Sequence, residues 1–193
     1  MRNKTNFFCM LIVALWMVAG FSSRCTAAQA SDPRMGISLA SGFGAARIVP
    51  IRLGIQREFG RRWRPESAWP IGGYWEAGLY TMNGKRGPAP RSHKHLDAVA
   101  LAGVFRFERA ESTRMGQPYV ELGLGVSYLS QTEIGGRDLG MHFQFEDRLG
   151  VGIRFGENCQ YDLGYKAVHF SNAYIGPTNH GINLHILALG YWF

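Results

Sequence analysis

The chain has 193 residues, 46% of them hydrophobic and 13% aromatic, with 25 glycines and a formal net charge of +7. That length suits a single domain. After the N-terminal stretch, no apolar run approaches the roughly 18–20 residues that a membrane-spanning helix needs.

Residues 1–30 read as a secretory signal peptide. Arg2 and Lys4 form a basic start, Phe7 to Phe21 an apolar run, and Ala28-Gln29-Ala30 a small-x-small cleavage pattern. Cys25 does not read as a lipoprotein anchor, because Arg24 stands where a small residue belongs. Cleavage after Ala30 leaves residues 31–193 as one domain, with Cys159 as its single cysteine and no intrachain disulfide. Removing Arg2, Lys4 and Arg24 lowers the basic count from 21 to 18 against 14 acids, a net +4. A basic exported chain suits lipid phosphate better than nucleic acid, and no nucleic-acid partner is expected.

The rest of the chain alternates with period two, apolar on one parity and Gly, Ala or polar on the other. That pattern predicts an all-β fold, an eight-stranded antiparallel transmembrane β-barrel with apolar residues facing lipid. The strands fall at 35–43, 47–59, 73–82, 95–107, 118–129, 140–155, 160–172 and 182–193. In the first, Met35, Ile37, Leu39 and Phe43 face lipid while Gly36, Ser38, Ala40 and Gly42 face inward. In the second, Ile51, Leu53 and Ile55 alternate with Arg52, Gly54 and Gln56. The same alternation sets Trp75 and Leu79 against Tyr74 and Glu76, and Leu122 and Leu124 against Glu121 and Gly123. It also sets Leu149 and Val151 against Arg148 and Gly150. A barrel of eight strands is filled by side chains rather than open as a pore. The inward charges Arg52, Glu58, Glu76, Arg106, Glu121, Glu146, Arg148, Arg154, Asp162 and Lys166 carry both signs and predict a paired internal plug. Pro50, inside a strand of a closed barrel, predicts a bulge. The closing Tyr191-Trp192-Phe193 resembles the C-terminal signal of outer-membrane barrels, which places that end in the periplasm. Segments 44–46, 83–94, 130–139 and 173–181 are then external. The loop 83–94 holds Lys85, Arg86, Arg91 and Lys94, a basic set suited to lipopolysaccharide phosphates.

The seventh strand breaks its own pattern. His169 and Ser171 share the lipid-facing parity of Leu163 and Tyr165, and polar groups facing hydrocarbon are costly and tend to be functional. Two residues apart on a strand, they lie on one face, where an imidazole can act as general base for a hydroxyl. Pairing Asn172 with Ile182 sets Ser171 opposite Asn183 and His169 opposite His185. Pairing Phe155 with Tyr161 sets His169 opposite Asp147, a charged exception on another lipid-facing row.

His169-Phe170-Ser171-Asn172-Ala173, followed by Asn179 and Gly181, resembles the active-site segment of the lipid A 3-O-deacylases (PagL family). Tyr74-Trp75-Glu76-Ala77-Gly78 and Phe145-Glu146-Asp147-Arg148-Leu149-Gly150 are similar to that family as well. The resemblance implies an eight-stranded outer-membrane barrel with a serine-esterase site on its lipid-facing wall, acting on the 3-linked acyl chain of lipid A. By the same resemblance Ser171 matches the nucleophile, His169 the base, Asn179 an oxyanion donor and Asn172 a support for that donor. The family's acid, a Glu, falls at Asn183. Asn183 can orient a histidine but not neutralise it, and Asp147 is the alternative acid partner. The resemblance implies no cofactor and no metal, and a homodimer is compatible with it. Two other readings share these signals: a non-catalytic structural or adhesive barrel, and a different outer-membrane lipid hydrolase or acyltransferase.

Overall fold

A computed structural model describes residues 33–85 and 93–193. The signal peptide, with Cys9 and Cys25, and the loop arginines Arg86 and Arg91 lie outside the described residues. The strands are β1 (Met35–Gly44), β2 (Val49–Glu58), β3 (Ile71–Asn83), β4 (His95–Glu108), β5 (Gln117–Leu129), β6 (Glu133–Ile134), β7 (Arg137–Asp138), β8 (Phe143–Phe155), β9 (Tyr161–Ser171) and β10 (Ile182–Trp192). Eight of them close into an antiparallel barrel, in the order β1-β10-β9-β8-β5-β4-β3-β2. The short β6 and β7 form a hairpin of their own.

Period two becomes two surfaces. Outward rows stay exposed, with Leu53 at 56% and Leu124 at 73%. A continuous apolar band of that kind is unsuited to water and suited to hydrocarbon, where a closed barrel leaves no strand edge unpaired. Inward rows are buried, and the mid-barrel charges pair as expected. Arg52 binds Glu76. Arg148 lies 2.5 Å from Glu76 and also binds Glu146. Glu121 receives Arg106 at 2.8 Å, Lys166 at 2.8 Å and the Tyr74 hydroxyl at 3.0 Å. Asp162 receives Arg106 at 2.7 Å and the Tyr119 hydroxyl at 2.7 Å. Towards the C-terminal end, Arg154 lies 3.4 Å from Glu108 and 3.6 Å from Glu58. Buried charges survive only when they are paired, and here shared carboxylates bridge the cations, although Arg52 Nε and Arg148 Nε stay without a hydrogen-bond partner among the described residues.

The interior is not polar throughout. At the end carrying β6 and β7, inward positions form an apolar cluster that includes Ile48, Met82, Leu96, Leu129, Val168, Phe170, Ile182 and Leu184. The β6–β7 hairpin, not expected within segment 130–139, completes it by inserting Ile134 beside Leu139. Gly135 and Gly136 turn it, with φ of 62° and 86°, the left-handed pair that a two-residue hairpin loop requires.

Pro50 causes no bulge. The β2–β3 register runs unbroken from Val49–Asn83 to Glu58–Tyr74, whereas the β1–β2 ladder ends at Ser41–Ile51. The proline thus sits just past the last ladder pair, where its missing N–H removes nothing, and its carbonyl accepts from the Ser41 hydroxyl at 2.8 Å.

Candidate active site

The lipid-facing row of β9 ends in His169 and Ser171, with Phe170 between them pointing into the apolar interior. Phe170 meets Tyr80 edge-on at 5.3 Å between ring centres. A packed inward side chain between two outward polar ones holds the strand end in place, so both polar groups keep one direction.

The registers on either side decide what they meet. On the β8 side His169 pairs with Asp147, as expected, and Ser171 with Phe145. On the β10 side the expected register is wrong by two residues: His169 pairs with Asn183, and His185 pairs with Ala167. Asn183 therefore sits across from the histidine rather than from Ser171. The shift keeps every side chain on its expected face, because the side-chain period is two. Asn183 Oδ1 lies 2.5 Å from His169 Nδ1. An amide oxygen only accepts, so this contact puts the proton on Nδ1 and leaves Nε2 as a basic lone pair. His185 belongs to a separate contact, with its Nδ1 2.6 Å from the Tyr165 hydroxyl and its ring 5.4 Å from Phe43. Asp147 is the cross-strand neighbour of His169, but among the described residues no hydrogen bond joins its carboxylate to the ring. Nor does one join the Ser171 hydroxyl to His169 among the described residues; they share a face two residues apart.

The loop after Ser171 is built around two asparagines. Asn172 is fully buried, and its side-chain amide donates to the Leu139 carbonyl at 2.8 Å and to the Thr178 carbonyl at 2.7 Å. Its backbone N–H donates to Asn179 Oδ1 at 3.1 Å. With its oxygen so engaged, Asn179 keeps its amide N–H groups as donors. Ala173 and Tyr174 adopt left-handed backbone, φ 51° and 61°, an unfavourable choice for residues with a β-carbon and one concentrated at functional sites.

One further participant was invisible in the periodicity. Arg137, on the β6–β7 hairpin, donates from Nε to the Gly181 carbonyl at 2.7 Å and from its terminal nitrogen to the His180 carbonyl. The hairpin thereby clasps the 172–181 loop. Arg137 lies off the barrel wall, so no alternation marks it; only the Gly135-Gly136 pair hints at a hairpin there. Gly181 lies against the imidazole, since a β-carbon added to it would stand 3.0 Å from His169 Cε1.

Below the cluster the outer wall is concave. A groove of about 620 Å³ is lined by Leu122, Leu124, Leu149 and Ala167, with Asp147, His169 and Asn183 among its polar lining residues. A base with a basic ring nitrogen, a hydroxyl on the same face, amide donors nearby and an apolar trough suit acyl transfer from a lipid ester.

Comparison with known proteins agrees. The family profile "Lipid A 3-O-deacylase (PagL)" matches residues 50–192. The "Lipid A deacylase PagL" of Pseudomonas aeruginosa is 32% identical over 178 residues, covering 91% of this chain and 95% of that protein. Its namesake from Bordetella bronchiseptica is 28% identical over 187 residues, covering 93% and 95%. The crystal structure of the outer membrane enzyme PagL superposes with a TM-score of 0.72 at 29% identity, over 81% of this chain and 98% of that one. With fold, profile and relatives in accord over most of its length, the chain belongs to the lipid A 3-O-deacylase (PagL) family.

Proposed function

We propose that this outer-membrane barrel hydrolyses the ester at the 3-position of lipid A through Ser171 and His169, with Asn183 orienting the base. The observation that carries the reading is the contact between His169 Nδ1 and Asn183 Oδ1, 2.5 Å long, on the lipid-facing wall. It fixes the tautomer that a serine esterase needs.

The chemistry runs as acyl transfer. His169 Nε2 takes the Ser171 proton while the hydroxyl oxygen attacks the ester carbonyl. The Asn179 amide, its oxygen held by the Asn172 N–H, donates to the oxyanion. Collapse breaks the ester bond; the sugar 3-oxygen leaves with the proton from His169, and the acyl group stays on Ser171. Water, deprotonated by His169, then releases the fatty acid. Asn183 lacks charge, so it orients the imidazolium without neutralising it. Asp147, the neighbour on the other strand, supplies the nearest negative charge in this reading.

The test is mass spectrometry of lipid A from cells with and without the protein. Loss of one 3-linked acyl chain is expected, and unchanged lipid A overturns the reading. Export is part of the same proposal, with cleavage after Ala30. N-terminal sequencing of the purified barrel should begin at Ser31. A mature protein that still carries residues before Ser31 overturns the cleavage.

A further inference from the structure

The end of the barrel opposite the His169 cluster carries a second lipid-oriented feature. The turn between β2 and β3 reads Phe59-Gly60-Arg61-Arg62-Trp63-Arg64-Pro65, and it is ordered. Phe59 N–H bonds to the Gly73 carbonyl at 3.0 Å, and Trp63 and Ile71 exchange backbone bonds at 2.8 and 2.9 Å. These bonds fold the turn back along the outside of the barrel. The Phe59 ring packs at 5.4 Å from Trp75 and 5.5 Å from Phe105, and Trp63 lies 6.0 Å from Phe105. Trp75 and Phe105 belong to the lipid-facing rows, 58% and 48% exposed. Gly73 makes the seat: a β-carbon there would stand 2.5 Å from Phe59 Cε2.

The result is an aromatic belt with cations beside it, Arg57 being the cross-strand partner of Trp75. Arg57, Arg61 and Arg64 are exposed and form no ion pair among the described residues. Arg62 differs, lying 3.5 Å from Glu108. Arg61 lies over the Trp63 ring at 5.8 Å, and Glu66 is the acid within the turn. Aromatic belts mark the boundary between hydrocarbon and headgroups. Guanidinium groups held there match phosphate oxygens in charge and geometry. This end bears the chain's C-terminus and lies away from Ser171, so the leaflet it meets is the phospholipid one.

We propose that Arg57, Arg61 and Arg64, beside the Phe59–Trp63–Trp75–Phe105 belt, form a seat for the headgroup of an anionic phospholipid in the periplasmic leaflet. The leaflet rests on the proposed action at the opposite end; the seat itself does not, because its binding assay contains no lipid A. Native mass spectrometry of the full barrel in nonionic detergent would be run with phosphatidylglycerol and with phosphatidylcholine of the same chains. A bound phosphatidylglycerol at far lower lipid concentration is expected. The preference should be on the order of a hundredfold, at roughly fivefold for each of three cations. The triple variant R57Q/R61Q/R64Q should lose it and keep deacylation of lipid A in micelles. Equal retention of both lipids, or a preference that survives the triple change, overturns the seat. Should that variant fail to fold, the unaltered protein still decides. Brominated phosphatidylglycerol should quench tryptophan fluorescence more than brominated phosphatidylcholine, and equal quenching overturns the proposal.

Discussion

Polar side chains occupy two costly places in this barrel, and they are treated differently. Inside, Glu76 and Glu121 are each held by several partners: Arg52, Arg148 and Gln56 for the first, Arg106, Lys166 and Tyr74 for the second. On the outer wall, among the described residues, His169 has a single hydrogen bond, to Asn183, and Ser171 has none to it. Saturated groups hold a fold together and have nothing left to offer a ligand. Under-partnered groups on a lipid-facing surface are a cost to stability that substrate contact can offset. Stability then rests in the interior, the proposed chemistry lies on the wall, and mutations should separate the two.

The largest separation should come from Ser171→Ala and His169→Ala. Each should lower deacylation by about four orders of magnitude or more while the barrel stays folded, and the double variant should be no worse than the singles, because they act as one proton-transfer unit. Initial rates on purified lipid A, with circular dichroism as the folding control, check this. Near-normal rates in either variant would remove the proposed roles.

The converse is Glu76→Ala. It strands Arg52 in a dry interior and leaves Arg148 with Glu146 alone, and removing one partner of a buried pair costs about 3–5 kcal/mol. Denaturant unfolding in detergent should show that loss, with the rate per folded molecule unchanged. A stable variant with a damaged rate would mean that the interior network serves the site directly.

Smaller effects should come from the histidine's two neighbours. Asn183→Ala removes the one bond that sets the tautomer and should slow the enzyme roughly 10- to 100-fold, the worth of a hydrogen bond to a group that becomes charged. Asn183→Glu should be tolerated or faster, since it adds the charge that Asn lacks. Asp147→Asn should cost least, within about fivefold, as expected of an exposed charge without a direct bond. An Asp147→Asn loss exceeding that of Asn183→Ala would reverse the ranking and make Asp147 the principal partner.

Much of this molecule was legible in the residues. Strand limits agree to within a few residues, the inward charges pair, and Asp147 stands opposite His169 as expected. The failures share a cause. Pro50 predicts a bulge from its own strand, but the β1–β2 ladder stops at Ser41–Ile51, before it. The β6–β7 hairpin lies off the wall, where alternation carries no information. The apolar cluster behind the site is built from inward residues that periodicity marks as inward but not as close neighbours.

Alternation by itself determined which face of each strand meets lipid, because side chains on a strand repeat every two residues and hydrocarbon tolerates few polar ones. That was enough to put His169, Ser171, Asn183 and Asp147 on one surface. Which of them touch was decided only by tertiary structure. A slip of two residues between β9 and β10 leaves every face unchanged, so no hydrophobic pattern can oppose it. The connecting loop chooses the register instead, through the Asn172 amide bonds, the left-handed Ala173 and Tyr174, and the clasp from Arg137. Those contacts bring Asn183 against the histidine and leave Ser171 free of it.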